Sequence, residues 1–403
     1  MFLKDIKVLD LGSYVAGPAA ATVMSDFGAD VVKIEPLDGD PYRRLLGRAV
    51  EFYPNFFWDQ DSRNKRSVAI DFTNDDGYAI LMQLVKRSDI VITNYRPDLL
   101  TRHQLTYDDL SAVRKDLIYG QVNSYGLEGP DKDLTGFDAT AWWARSGLMD
   151  HVRRPTGPHA ISAPGMGDHA TCMSLFGGIM AALYRRVKTG AGAHVYTSLL
   201  ANGAWSHSML IQGGLVGFDL SDQATPDDLK ATPLATMYET SDDRTLLLCI
   251  LNPAKEWPGF VRAIGTPAWT AEPRFDDPEQ RVANALDLYG LLADVFQSDT
   301  SAAWRKRLDA ENVTYSVASG VSDVINDEQL YANDILTPMS EGDQLYTHTV
   351  NSPIWIKGVK KKTPVCAPDI GQHSNEVLTD LGFSEDEINH LIRRGVIGQH
   401  EDP

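Results

Sequence analysis

Ile6-Lys-Val-Leu-Asp-Leu11, Gly12-Ser-Tyr-Val15, Gly17-Pro-Ala-Ala-Ala-Thr-Val-Met-Ser-Asp-Phe27 and Ala29-Asp-Val-Val-Lys-Ile34-Glu35 form a strand, a turn, a helix and a second strand. A βαβ unit at the start of a chain implies a parallel sheet. The turn superficially resembles a dinucleotide loop, with Glu35 where a ribose-binding acid stands. Only Gly12 and Gly17 are present, however, and G-x-G-x-x-G is not satisfied, which argues against NAD.

Working outward, the pattern repeats. Ser67–Asp71, Asp89–Thr93 and Leu117–Val122 read as strands, and Asp75–Arg87 and Tyr107–Val113 as helices, giving an open, mostly parallel Rossmann-like α/β sheet. Ligands of such sheets sit at the strands' carboxyl ends. The loops to watch are therefore Tyr14–Pro18, Glu35–Arg44, Asn94–Pro97 and Asn123–Asp138. Beyond them, Gly165-Met-Gly-Asp-His169 precedes a run from Ala170 to Tyr184 that contains no charge and no proline. Apolar and small residues fall on every face, so a helix buried all round is expected. Asp168 at its N-terminus would be an ordinary cap or a carboxylate held ionised by the helix dipole.

A strand at His194–Thr197 and a helix over Leu199–Gly213 follow, then an acidic, loop-like Phe218–Lys230. Pro233–Leu251 reads as a hairpin turning at Ser241–Arg244, with helices near Lys255–Ile264, Asn284–Gln297 and Thr300–Glu311. The tail reads as strands at Asp343–Val350 and Pro353–Lys360 and a helix after Ser384, capped in a box with Glu387. The expected division is a large α/β domain over 1–224, a smaller α+β domain over 225–335, and a segment 336–403 returning to the first.

The 403 residues carry 37 Lys plus Arg against 55 Asp plus Glu, a net charge of -18, which opposes a nucleic-acid surface. The three cysteines are far apart, suggesting neither a disulfide framework nor a metal cluster. With no leader-like N-terminus and no uncharged run of membrane-spanning length, a cytoplasmic protein is expected.

Ile6–Pro18, Asp30–Glu35, Asn64-Lys-Arg-Ser67, Gly167-Asp168 before an apolar helix, and Ala367-Pro-Asp-Ile-Gly-Gln-His-Ser-Asn-Glu-Val-Leu378, in this order, resemble the class III CoA-transferases (the CaiB/BaiF, formyl-CoA transferase type). The resemblance implies an interlocked homodimer with coenzyme A, as acyl-CoA, for a substrate, and neither a metal nor a redox nucleotide. Asp168 matches the nucleophile, which passes through a mixed anhydride and an aspartyl-CoA thioester. Gly165 and Gly167 would donate to the oxyanion. Val15, Ala16, Ile70, Thr73, Asn94, Tyr95, Arg96, Arg102 and Asp138 match cofactor-lining positions, with Lys65 and Arg66 as weaker candidates for the phosphates. Thr135-Gly-Phe-Asp-Ala-Thr140 is similar to transferases acting on 2-hydroxy and aryl acids, with Phe137, Trp142 and Trp143 as candidates for an acyl pocket.

Departures from the family bear on the substrate. Val15 replaces a glutamine of formyl-CoA transferase, that enzyme's glycine-rich substrate loop has no counterpart, and Pro36 and Thr73 replace basic contacts, which disfavours oxalate. The α-methylacyl-CoA racemases of the same superfamily use a His-Asp pair where this chain reads Phe137-Asp138. Racemisation is therefore the second reading, with His169 as its one available imidazole, and a silent CoA-binding homologue is the third.

Overall fold

The computed structural model describes residues 1–47, 55–153, 157–218, 230–340 and 347–400. The chain divides into two compact units: Met1–Val152, His159–Gln212 and Gln329–Pro403 form the first, and Arg153–Pro158 with Gly213–Glu328 the second.

The first unit is built on a seven-stranded sheet. Its strands are β1 (Lys7–Asp10), β2 (Asp30–Glu35), β3 (Arg66–Ile70), β4 (Ile90–Thr93), β5 (Ile118–Asn123) and β6 (Ala193–Ser198), with Ile397–Gly398 at one edge. The order is Ile397–Gly398, β3, β2, β1, β4, β5, β6. All pairs are parallel except the edge strand, which sets Ile397 opposite Ile70. That two-residue strand has no signal in the sequence because it is too short for alternation to show. Val8 and Leu9 point to opposite faces and belong to separate cores, as a period of two requires.

Strand order reverses between β1 and β4, the place where an open α/β sheet leaves a crevice. Here the Asn94 side chain accepts from Ser13 N (2.7 Å) and donates to Ser13 O (2.6 Å), lashing together the two loops that leave these strands. Beside them lies a buried ionic cluster: Lys33 pairs with Asp40 (3.0 Å) and Lys65 with Asp10 (2.9 Å), and Lys33 Nζ also donates to Gly12 O. The charge of Asp10 and Asp40 outweighs burial and raises the Lys33 pKa. The Gly12–Val15 turn is thus fixed from both sides.

The long helix is Met166–Thr189, extending the expected run at both ends. It is not buried all round. Gly167, Thr171, Cys172, Leu175, Phe176, Ile179 and Ala182 face the core, while Ser174, Gly177, Ala181 and Tyr184 are exposed. Small and apolar side chains on the outer face concealed the one-sided burial from a reading based on hydrophobicity.

The expected helix over 199–213 is two helices, Leu199–Ser206 and Ser208–Leu215, separated at His207. In the tail, Leu336–Pro338 pairs antiparallel with His348–Val350. Residues 341–346 of the expected strand lie outside the described residues. Pro353–Lys360 contains no strand: Pro353 lacks a donor, and the chain turns at Gly358, whose φ is 87°. The capping box of Ser384 and Glu387 is present.

The second unit pairs Met237–Glu239 with Thr245–Leu248, and the latter with Tyr315–Val317. Its own core includes Phe260, Phe275, Leu288, Phe296 and Trp304. The acidic stretch 218–230 lies, except at its ends, outside the described residues. Among the described residues no helix is long and apolar enough to cross a membrane.

Candidate active site

Gly165 has a φ of 73°, a left-handed conformation that ends the preceding loop and starts the long helix at Met166. Asp168 is thereby placed in the first turn, where backbone N–H groups have no acceptor within the helix. Met166 N–H is already taken by Ala163 O (3.2 Å). Trp142 packs closely against the turn, so that a Cβ on Gly167 would come within 2.6 Å of Trp142 Cγ.

Two cavities meet at Asp168. One of about 670 Å³ is largely aromatic, with Tyr14, Tyr42, Phe56, Phe57 and Phe137 among its walls, and also holds Asp61, Asp138, Gly165 and His169. The other, of about 370 Å³, lies over the β1 and β4 loops and is lined by Val15, Ala16, Asn94, Tyr95, Arg96 and Lys132, among others. Tyr14, Val15, Phe137 and Asp168 line both. Tyr14 sits at φ 58°, rare for a bulky side chain, and meets Phe137 edge to face with ring centroids 5.6 Å apart. The two rings form the partition, and Asp168 stands in it.

The electrostatics differ from what a helix N-terminus alone would give. Burial, reinforced by the charges of Asp138 and Asp61, pushes the Asp168 carboxyl up to about 7, although His169 acts in the opposite direction. The expected ionised carboxylate is therefore opposed by its surroundings, since desolvation and the neighbouring carboxylates favour the protonated form. Asp138 contributes to this pressure. Its Oδ1 accepts from Ala139 N (2.7 Å), while its buried Oδ2 has no partner among the described residues. For His169, burial lowers the pKa, but the hydrogen bond to Asp61 and the charges of Asp61 and Asp168 prevail and raise it.

Of the residues singled out from sequence, Asp168, Val15, Ala16, Asn94, Tyr95, Arg96, Phe137, Asp138 and Gly165 line one or both cavities. Others do not. Ile70 is buried in the core on the far side of the sheet, and Thr73 is exposed, donating its hydroxyl to Asp71 (2.6 Å). Arg102 is exposed at the end of the Pro97–Arg102 helix and lines neither cavity. Trp142 is only 5% exposed and acts as the floor under Gly167 instead of a pocket wall. Trp143 is likewise buried, its Nε1 bonded to Ala160 O (2.8 Å). Lys65 is consumed by Asp10, and Arg66 by Asp30, Glu376 and Asp380. Glu35 is also consumed, by Arg43, Ser67 and Asp40 N.

The sequence reading missed Lys132 as a cation of the second cavity, and Tyr42, Phe56, Phe57 and Asp61 in the first. The available signal was Asn55-Phe-Phe-Trp58, three aromatics opening the Phe56–Ser62 helix, two of which the structure leaves facing the cavity.

The sequence profile of CoA-transferase family III matches residues 3–374. The chain is 31% identical over 397 residues to (R)-2-hydroxy-4-methylpentanoate CoA-transferase of Clostridioides difficile, covering 97% of this chain and 98% of that one. It is 30% identical over 397 residues to cinnamoyl-CoA:phenyllactate CoA-transferase of Clostridium sporogenes, covering 96% and 95%. Among solved structures, a CAIB/BAIF family protein from Brucella suis superposes with a TM-score of 0.80 at 23% identity, over 94% of this chain and 99% of that one, a likeness of fold.

Proposed function

Because the chain belongs to CoA-transferase family III, we propose that it moves coenzyme A from an acyl-CoA donor to an apolar carboxylic acid, a branched or aryl 2-hydroxy acid, with Asp168 as nucleophile. The observation that carries this reading is the position of Asp168 in the partition between the two cavities. The thioester approaches along the β1 and β4 loops, where Asn94 fixes the Ser13 turn and Arg96 and Lys132 offer charge to the cofactor's phosphates. The acyl group enters the aromatic cavity.

A carboxylate oxygen of Asp168 attacks the thioester carbonyl. The C–S bond breaks, and CoA thiolate leaves a mixed anhydride. The thiolate then attacks the Asp168 acyl carbon, breaking the anhydride C–O bond and releasing the donor's acid. The acceptor acid reverses both steps. The Gly165–Gly167 turn supplies the oxyanion donor through Gly167 N–H, since Met166 N–H is already engaged. One thioester replaces another, so the net free-energy change is small.

The aromatic walls and the two transferases of hydroxy acids among the relatives support the class of acid. A homodimer is part of the proposal. Tyr184, Val187, Trp205 and Met209, between 66% and 89% exposed on the long helix and the two helices that follow β6, are apolar surface of the kind a partner subunit covers.

Hydroxylamine tests the reading. Incubated with acyl-CoA, the wild-type enzyme should carry a hydroxamate on Asp168, and Asp168→Ala should carry none. Transfer at a normal rate by Asp168→Ala would refute the nucleophile.

A further inference from the structure

The aromatic cavity sets an electrostatic problem. Asp59, Asp61, Asp138 and Asp168 line it, and a free acid entering it brings another negative charge. Among its described lining residues there is no lysine or arginine, and the side chains that can turn positive are His169 and His348. His348 is exposed, with its Nδ1 3.1 Å from the Thr347 hydroxyl.

His169 is held differently. Its Nε2 lies 2.9 Å from Asp61 Oδ1. Asp61 is 3% exposed, and its Oδ2 accepts from the Tyr42 hydroxyl (2.9 Å), while its backbone carbonyl accepts from Lys65 Nζ (2.8 Å). A carboxylate so bound only accepts, so the proton stays on His169 Nε2 and Nδ1 becomes the ring's remaining edge. That edge is left open by Gly165: a Cβ there would stand 3.3 Å from Cε1 and 3.4 Å from Nδ1.

We propose that the His169 imidazolium, oriented by Asp61 and Tyr42, binds the carboxylate of the free acid through Nδ1–H and so determines that the cavity accepts acids and not their neutral analogues. This rests on the transferase reading above. A single charge-assisted donor beside the nucleophile suits an acid whose remaining contacts are apolar. The upward shift of the His169 pKa agrees with such a role.

The test uses the full chain in the Asp168→Asn background, where nothing turns over, with and without His169→Gln. Calorimetry measures the binding of 3-phenyllactate and of its neutral amide. With His169 present the acid should bind on the order of tenfold more tightly than the amide. In His169→Gln the two should bind about equally, with amide affinity retained, which also shows that the cavity is intact. An acid preference that survives His169→Gln overturns the proposal. Asp61→Asn keeps the ring but not its ionic partner and should reduce the preference, and an unchanged preference there would also count against it. Hydroxamate trapping at Asp168 in wild-type enzyme, which needs only the donor, decides the transferase reading separately.

Discussion

Asp168 is held where its environment disfavours the ionised form that the proposed chemistry needs. On the proposed mechanism, in which only the ionised carboxyl attacks, a pKa pushed up to about 7 places the acid limb of the kcat/KM profile near neutrality, not near 4. A rate that is flat between pH 5 and 8 would contradict that assignment. The same shift affects stability. Below about pH 4 the carboxyl is protonated in both folded and unfolded chains and contributes no difference. Between its ordinary 3.8 and about 7 the unfolded chain ionises while the native one does not, so native stability falls as pH rises. Asp168→Asn should therefore melt close to wild type near pH 4 and above it at pH 8, and the reverse order would show that the carboxylate is stabilised in the fold. His169 and Asp61 were in plain view in the sequence, but 108 positions separate them, and no local pattern reports that pairing.

The active turn depends on two elements in contact, the start of the long helix and the Asp138–Ala144 segment that carries Trp142. Gly167→Ala drives a methyl group into the indole, at 2.6 Å, and should destabilise by about 1–3 kcal/mol in a denaturant titration. An unaffected midpoint would mean that the indole moves aside freely. Strands and helices of the sheet were legible because alternation and amphipathic spacing are local: Asp75–Arg87 and Tyr107–Val113 have the expected limits. The Phe56–Ser62 helix and the Ile397–Gly398 strand were not read, the first because its aromatics face a cavity made by distant segments, the second because of its length. Trp142 misled for a related reason. Its residue type suits a pocket wall or a floor equally, and the missing Cβ of Gly167 decides for the floor.

Across the whole molecule, a net charge of -18 must be offset locally for a polyanionic cofactor to approach. The resemblance pointed to Arg96 and Arg102, of which the cavity contains Arg96, together with Lys132. Arg96→Ala and Lys132→Ala should raise KM for acyl-CoA more than they lower kcat and weaken its salt dependence, with Arg102→Ala the milder of the three. A larger effect at Arg102 would return the phosphate site to the outer surface. The central claim, that an enzyme carboxylate passes through an anhydride with the substrate acid, is tested most directly by oxygen transfer. Acceptor acid labelled with oxygen-18 in its carboxylate attacks the aspartyl-CoA thioester, and the later departure of that acyl group to CoA leaves one of its oxygens on the enzyme. After turnover, mass spectrometry of the peptide that contains residue 168 should find oxygen-18 in the Asp168 carboxyl. Product CoA ester formed at the normal rate with no label in that peptide would contradict the account.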